Sequence, residues 1–204
     1  MQLKKLTLHY KNYLPILLIG TFSFLINYYY GFIGLMPMDN TVLYNGGYRV
    51  LNGFTPFNDY WLVTGPLLDY LNAFFFKIFG VSWKTFIIHS SLVNLFLAIS
   101  SYFLFLKLKL SNKYSLLYST FISILFYPVV GTPFVDHHST FFLILAFYSL
   151  ILAINEKNYY YYLAIPTLFC LSFLSKQTPA AYGLILAILS ILIFCYFNKK
   201  NAMK

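Results

Sequence analysis

The chain alternates between long apolar runs and short polar breaks. A helix needs about 20 apolar residues to cross a bilayer, with a usual range of about 17–25. Six runs reach or approach that length, although the fourth and fifth are short: Leu14–Met36, Phe86–Leu106, Tyr114–Val130, Thr140–Ile154, Tyr159–Leu174 and Ala180–Phe197. The pattern predicts an all-α, polytopic membrane helix bundle with about six transmembrane helices.

Residues 37–84 form the longest connection between these runs, and loops of more than about 12–15 residues are uncommon unless they are functional. Asp39 or Asn40 can cap a helix that ends before Gly53. Gly65–Gly80 predicts a second helix, too short to span the bilayer. Because apolar side chains cover most of that helix, an interfacial position on the outer leaflet fits it best. Three polar side chains share one arc of it: Asp69, Asn72 and Lys77.

Composition agrees with a membrane protein and excludes a soluble domain. Hydrophobic residues make up 60% of the chain and charged residues 9%, whereas soluble domains have about 45–50% and about 25%. The mean hydropathy is +0.70. So few polar side chains could not cover the surface of a water-soluble fold. We therefore expect a single transmembrane domain over residues 1–204.

The net charge of +9 indicates membrane topology rather than nucleic-acid binding. With the N-terminus in the cytoplasm, ten of the fourteen basic residues fall in cytoplasmic segments, as the positive-inside rule requires. The opposite orientation would reverse that ratio. We therefore expect both termini in the cytoplasm, residues 37–84 outside it, and no nucleic-acid partner.

Carboxylates concentrate on the side opposite to most of the lysines. Asp39 directly follows the first apolar run, where it either caps a helix or contributes to a site on the outer face. Four of the five carboxylates fall outside or at the outer boundary: Asp39, Asp59, Asp69 and Asp136.

Asp136, His137 and His138 lie where the third apolar run turns over into the fourth. Placing polar groups at the boundary of a bilayer costs free energy, and such groups are usually functional. A carboxylate beside imidazoles suits a divalent metal ion, or a base with its orienting partner. Alternatively, Asp136 only caps the following helix.

Lys176 and Gln177 follow the fifth run at the outer boundary. Lys176 either extends its ammonium group to the interface or binds a lipid phosphate beside a helix N-terminus. Arg49 is open to two similar interpretations, as a salt-bridge partner of Asp39 or as a second phosphate contact.

The ordered set of motifs, from Leu14 to Tyr196, resembles the N-terminal half of the polyprenyl-phosphate-dependent GT-C glycosyltransferases. That family includes the protein O-mannosyltransferases and the aminoarabinose transferase of lipid A. The motifs are Asp39-Asn40, Tyr48-Arg49, Leu51-Asn52-Gly53, Pro56-Phe57-Asn58-Asp59, the segment Gly65–Gly80, Asp136 and Ser175-Lys176.

The resemblance implies a bacterial inner-membrane enzyme that transfers a sugar from a polyprenyl-phosphate donor to a periplasmic acceptor. Asp39 would be the catalytic base, and Asp136 would assist it or bind a divalent metal with His137. Because the family's members are usually longer, we expect the chain to lack their C-terminal part. Four residues are expected to bind substrate: Arg49, Asp59, Lys176, which would contact the lipid phosphate, and Gln177.

A non-enzymatic role is the alternative, as a small polytopic subunit or a translocator of lipid carriers. That alternative predicts that Asp39 and Asp136 can each become Asn with no loss of function. The enzyme interpretation predicts near-complete loss of activity from Asp39→Asn.

Overall fold

The computed structural model describes residues 2–33 and 37–202, with side chains for 13–33 and 38–197. Within those ranges it contains eight α-helices, one short 3₁₀ helix (Tyr127–Val129) and no β-strand. This confirms the all-α bundle. The α-helices are α1 (Gln2–Ile33), α2 (Pro37–Leu51), α3 (Leu67–Phe79), α4 (Trp83–Lys107), α5 (Asn112–Leu125), α6 (Val135–Glu156), α7 (Tyr159–Ser175) and α8 (Gln177–Ala202).

Four helices in the described part of the chain are long and apolar enough to cross a membrane, against about six expected. They are α4, α6, the Tyr13–Ile33 part of α1 and the Gln177–Phe197 part of α8. α5 and α7 have only 14 and 17 residues, fewer than the roughly 20 that a single span needs.

α5 and α7 nonetheless connect opposite ends of the long helices. The chain beyond α5 reaches Gly131, whose carbonyl accepts hydrogen bonds from Asn27 near the end of α1 and Ser90 near the start of α4. Similarly, α7 begins after the end of α6, and Lys176, just beyond α7, pairs with Asp136 in the first turn of α6. We call the end of the bundle where α1 ends and α4 begins the site end.

Buried amide side chains hold the first helices together. The Asn94 side chain of α4 donates to the carbonyl of Ser23 in α1 at 3.1 Å and to that of Ser123 in α5 at 2.9 Å.

At the site end, Gly131 has a φ of 76° and lies so close to α1 that an added Cβ would be 2.6 Å from the Gly31 Cα. Only glycine meets both demands.

α2 and α3 form the helical connection expected over residues 37–84, and α2 ends before Gly53 as expected. An interfacial α3 would direct its polar arc to water, but Asp69 and Asn72 are 2% and 1% exposed. Both face the closely packed Gly46 and Gly47 of α2. The exposed side chains of α3 include apolar ones: Tyr70, Phe74, Ile78 and Phe79.

Candidate active site

A cavity of about 460 Å³ at the site end brings together charged side chains from three helices and from the junction between α7 and α8. It lies between the first turns of α2, α3 and α6, loop residues 61–64 and the end of α7. Two larger grooves, of about 560 and 630 Å³, are lined by apolar side chains almost throughout. The charged residues of the cavity are Asp39, Asp69, Asp136 and Lys176.

Lys176 and Asp136 form an ion pair on one wall of the cavity. The Lys176 Nζ donates to both carboxylate oxygens of Asp136, at 2.8 Å each. Ser139, one turn along α6, donates to the Lys176 carbonyl at 3.1 Å and fixes the chain where α7 gives way to α8. An ammonium group has three N–H donors, so one donor of Lys176 remains for an anion in the cavity.

Asp39 lies in the first turn of α2 and is exposed, with its side chain at the border of the cavity. Its neighbour Asn40 is buried and accepts a hydrogen bond of 2.8 Å from the Thr132 hydroxyl. Because Thr132 lies three residues before α6, this contact fixes the start of α2 beside Asp136. Three expected site residues, Asp39, Asp136 and Lys176, therefore line one cavity.

Asp69 is a cavity residue that sequence reasoning placed only in the polar arc of α3. The Tyr60 hydroxyl donates to its Oδ2 at 2.7 Å, and the Arg49 guanidinium lies 5.1 Å from the centre of the Tyr60 ring. Burial raises the pKa of Asp69 to about 6, against the lowering effects of the Tyr60 hydrogen bond and the Arg49 charge. A carboxylate on a mostly apolar helix was the signal in the sequence.

Other expected site residues do not line this cavity. Arg49 borders a neighbouring hollow of about 140 Å³ beside Tyr60. Asp59 accepts hydrogen bonds from the Thr55 backbone at 2.7 Å and the Asn58 side chain at 3.1 Å, so its carboxylate closes the local turn. Gln177 is the exposed first residue of α8.

The metal interpretation finds little support in this geometry. The His137 ring packs against the rings of Phe126 and Tyr127, with centroids 5.6 and 5.2 Å apart, while Asp136 binds Lys176. Over residues 13–33 and 38–197, no group of three His, Cys, Asp or Glu side chains is placed to hold a metal ion. A divalent ion at Asp136 and His137 stays a prediction that these contacts do not favour.

A buried chain of hydrogen bonds links α3, α4 and α6 close to the cavity. Asn72 donates its amide N–H to the Leu43 carbonyl at 3.2 Å, so its Oδ1 accepts from the His89 Nδ1 at 2.7 Å. The His89 Nε2 then accepts from the His138 Nε2 at 3.0 Å, and the His138 Nδ1 accepts from the Tyr127 hydroxyl. His89 lies within the bundle, with 1% of its surface exposed.

Comparison with known proteins agrees with the resemblance seen in the motifs. The family model described as dolichyl-phosphate-mannose-protein mannosyltransferase matches residues 63–203, well over half of the chain. No curated protein and no solved structure matches the chain. The matched range contains Asp69, Asp136 and Lys176, whereas Asp39 precedes it. The chain therefore belongs to the dolichyl-phosphate-mannose-protein mannosyltransferase family, whose members are membrane glycosyltransferases of the GT-C type.

Proposed function

We propose that this chain provides the site at which a sugar passes from a polyprenyl-phosphate donor to an acceptor outside the cytoplasm. The observation that carries the proposal is the cavity at the site end, where Asp39, Asp136 and Lys176 lie together beside membrane-length helices. A polyprenyl phosphate keeps its lipid chain in the bilayer and its phosphate at headgroup depth. A charged cavity at one end of an apolar bundle suits such a donor.

Lys176 binds the donor phosphate in this proposal. Asp136 takes two of its N–H donors, which orients the ammonium group and leaves the third for a phosphate oxygen. As the phosphate leaves, its growing negative charge is stabilised by this nearby cation. Asp136 is thus a positioning residue that acts through Lys176.

Asp39 accepts the proton of the acceptor. The acceptor oxygen bonds to the anomeric carbon of the sugar while the bond from that carbon to the phosphate oxygen breaks. The bonding electron pair leaves with the polyprenyl phosphate, and the acceptor's proton passes to the Asp39 carboxylate. Because Asp39 is exposed, an acceptor can reach it from the aqueous side.

The site end faces the periplasm of a bacterial inner membrane in this proposal, with both termini in the cytoplasm. The support is the distribution of lysines: Lys107, Lys109, Lys113 and Lys157 lie beside the ends of α4, α5 and α6 that are remote from the site end. A cytoplasmic location for that remote end satisfies the positive-inside rule.

Transfer of a radiolabelled sugar from a polyprenyl-phosphate donor in membranes tests the proposal. Asp39→Asn should lower the rate by about 100-fold or more, the usual contribution of a general base. Glu156→Gln is the matched control, since it makes the same carboxylate-to-amide change at the opposite end of the bundle and should leave the rate unchanged. Wild-type function in inserted Asp39→Asn and Asp136→Asn variants would instead favour the non-enzymatic alternative.

A further inference from the structure

Asp69 is a cavity carboxylate that the proposed reaction does not use. Its side chain lines the cavity, although the residue as a whole is only 2% exposed. Burial of a carboxylate costs free energy unless a charge or a hydrogen bond compensates for it. Among the described residues, the Tyr60 hydroxyl is the one hydrogen-bond donor to Asp69, and it binds Oδ2.

Several packed elements fix the position of the Asp69 side chain. A Cβ added at Gly46 would lie 2.2 Å from its Oδ1, so the carboxylate rests against the backbone of α2. The loop supplies Tyr60, and the Arg49 guanidinium of α2 lies over the Tyr60 ring. The carboxylate is therefore held in one orientation before any substrate binds.

The charged and titratable groups around Asp69 come from each neighbouring element. α2 contributes Asp39 and Arg49, and the loop contributes Tyr60. α4 contributes His89, which bonds Asn72 one turn along α3. The cavity walls from α6 and the end of α7 contribute the Asp136–Lys176 ion pair. With Asp136 paired to Lys176, the carboxylates left to contact neutral groups in the cavity are Asp39 and Asp69.

The two remaining carboxylates differ in depth. Asp39 is exposed, and Asp69 is buried. The acceptor arrives from the aqueous side, whereas the sugar is joined directly to the phosphate that Lys176 holds inside the cavity. From the depth of the two carboxylates in the cavity, we expect Asp39 to contact the acceptor and Asp69 to contact the sugar.

We propose that Asp69 accepts a hydrogen bond from a hydroxyl group of the donor's sugar, and that Tyr60 positions the Asp69 carboxylate for this contact. This inference rests on the proposed function. It makes Asp69 a residue that distinguishes a glycosylated polyprenyl phosphate from the bare lipid phosphate. Lys176, in contrast, contacts the phosphate that both lipids carry.

Binding of three lipids to the purified full chain in nanodiscs tests the inference. The probes are polyprenyl phosphate, polyprenyl-phosphate mannose and polyprenyl-phosphate glucose. Wild type should bind at least one glycosylated lipid about 10-fold more tightly than polyprenyl phosphate, which corresponds to one hydrogen bond to a charged group. Asp69→Asn should remove this preference and leave the affinity for polyprenyl phosphate unchanged.

Two control variants separate this inference from the proposed function. Lys176→Met should weaken the binding of all three lipids. Tyr70→Phe removes the hydroxyl of an exposed neighbour on α3 and should change none of the affinities. If wild type binds none of the lipids, the proposed function fails. If wild type prefers a glycosylated lipid and Asp69→Asn keeps that preference, only the role of Asp69 is overturned.

The pH dependence of the preference distinguishes a sugar contact from a structural role. The pKa of Asp69 is raised to about 6, so the accepting carboxylate predominates above that pH and the preference should decline below it. Tyr60→Phe removes a hydrogen bond that lowers the pKa of Asp69, so the midpoint of the decline should move to higher pH. A preference that is independent of pH in both proteins would contradict the inference.

Discussion

Gly46→Ala tests how tightly α2 and α3 hold the Asp69 carboxylate. The added Cβ would lie 2.2 Å from the Asp69 Oδ1, 2.4 Å from its Cγ and 2.5 Å from its Oδ2. An ordinary Cβ contact lies at 3.4–4 Å, so the carboxylate or the helix must move by about 1 Å. Overpacking of this kind costs about 1–3 kcal/mol.

The direction of the stability change in Gly46→Ala is informative, because overpacking lowers stability whereas the higher helix propensity of alanine raises it. Alanine stabilises a helix interior by about 1 kcal/mol relative to glycine. Gly20→Ala in α1 is the matched control, since its Cβ would meet the nearest atom, Ile99 Cδ1, at an ordinary 3.4 Å. We expect Gly20→Ala to be neutral or stabilising by up to about 1 kcal/mol, and Gly46→Ala to be destabilising.

Thermal unfolding of the purified variants in detergent measures both effects. Asp69→Ala removes the atoms that the new methyl group would meet, so Gly46→Ala should cost less in that background than in wild type. A higher melting temperature for Gly46→Ala in the wild-type background would refute the packing of α2 on α3. So would equal effects in the two backgrounds.

Three further predictions concern stability. The pKa of Asp69 is raised to about 6 in the folded protein from its ordinary value of 3.8, so the folded state binds more protons than the unfolded state between these pH values. Wild type should therefore lose up to about 3 kcal/mol of stability relative to Asp69→Asn as the pH rises from 4 to 7, measured by denaturant unfolding. Lys176→Met should cost at most about 1 kcal/mol of stability, since its pair with Asp136 is partly exposed, and a large fall in melting temperature would contradict that. Asn94→Leu removes the buried hydrogen bonds to the Ser23 and Ser123 carbonyls and should cost about 1–3 kcal/mol in total, whereas an unchanged melting temperature would argue against these contacts.

Much of the bundle follows from the lengths of the apolar runs. The first, second and sixth runs form α1, α4 and α8, because a continuous apolar stretch can satisfy its backbone in a membrane only as a helix. The fourth run is short, but flanking residues on both sides of it join α6, which has 22 residues. The third run differs, because Tyr127-Pro128-Val129 forms a 3₁₀ turn that ends α5 early. Pro128 cannot donate to a continuing α-helix, so run length alone overestimated this helix.

The part of the site that could be predicted consists of single charged residues at the ends of apolar runs. Asp39, Asp136 and Lys176 could be assigned to one face because topology places all three at the same end of the bundle. The burial of Asp69 beside the cavity could not be predicted, because its arc of α3 faces Gly46 only after α2 and α3 pack. The spacing of residues in the sequence also does not reveal that the Asp59 carboxylate accepts a hydrogen bond from the Thr55 backbone within its own turn.

The most direct test of the donor site uses a polyprenyl phosphate with a diazirine on the isoprene unit next to the phosphate. After irradiation of the full chain in nanodiscs, mass spectrometry locates the crosslinked residues. We predict labels on residues that line the cavity, such as Leu62 and Val135, and a large loss of labelling in Lys176→Met. Labelling at the opposite end, near Lys107 and Glu156, or equal labelling in Lys176→Met, would contradict the assignment of this cavity as the donor site.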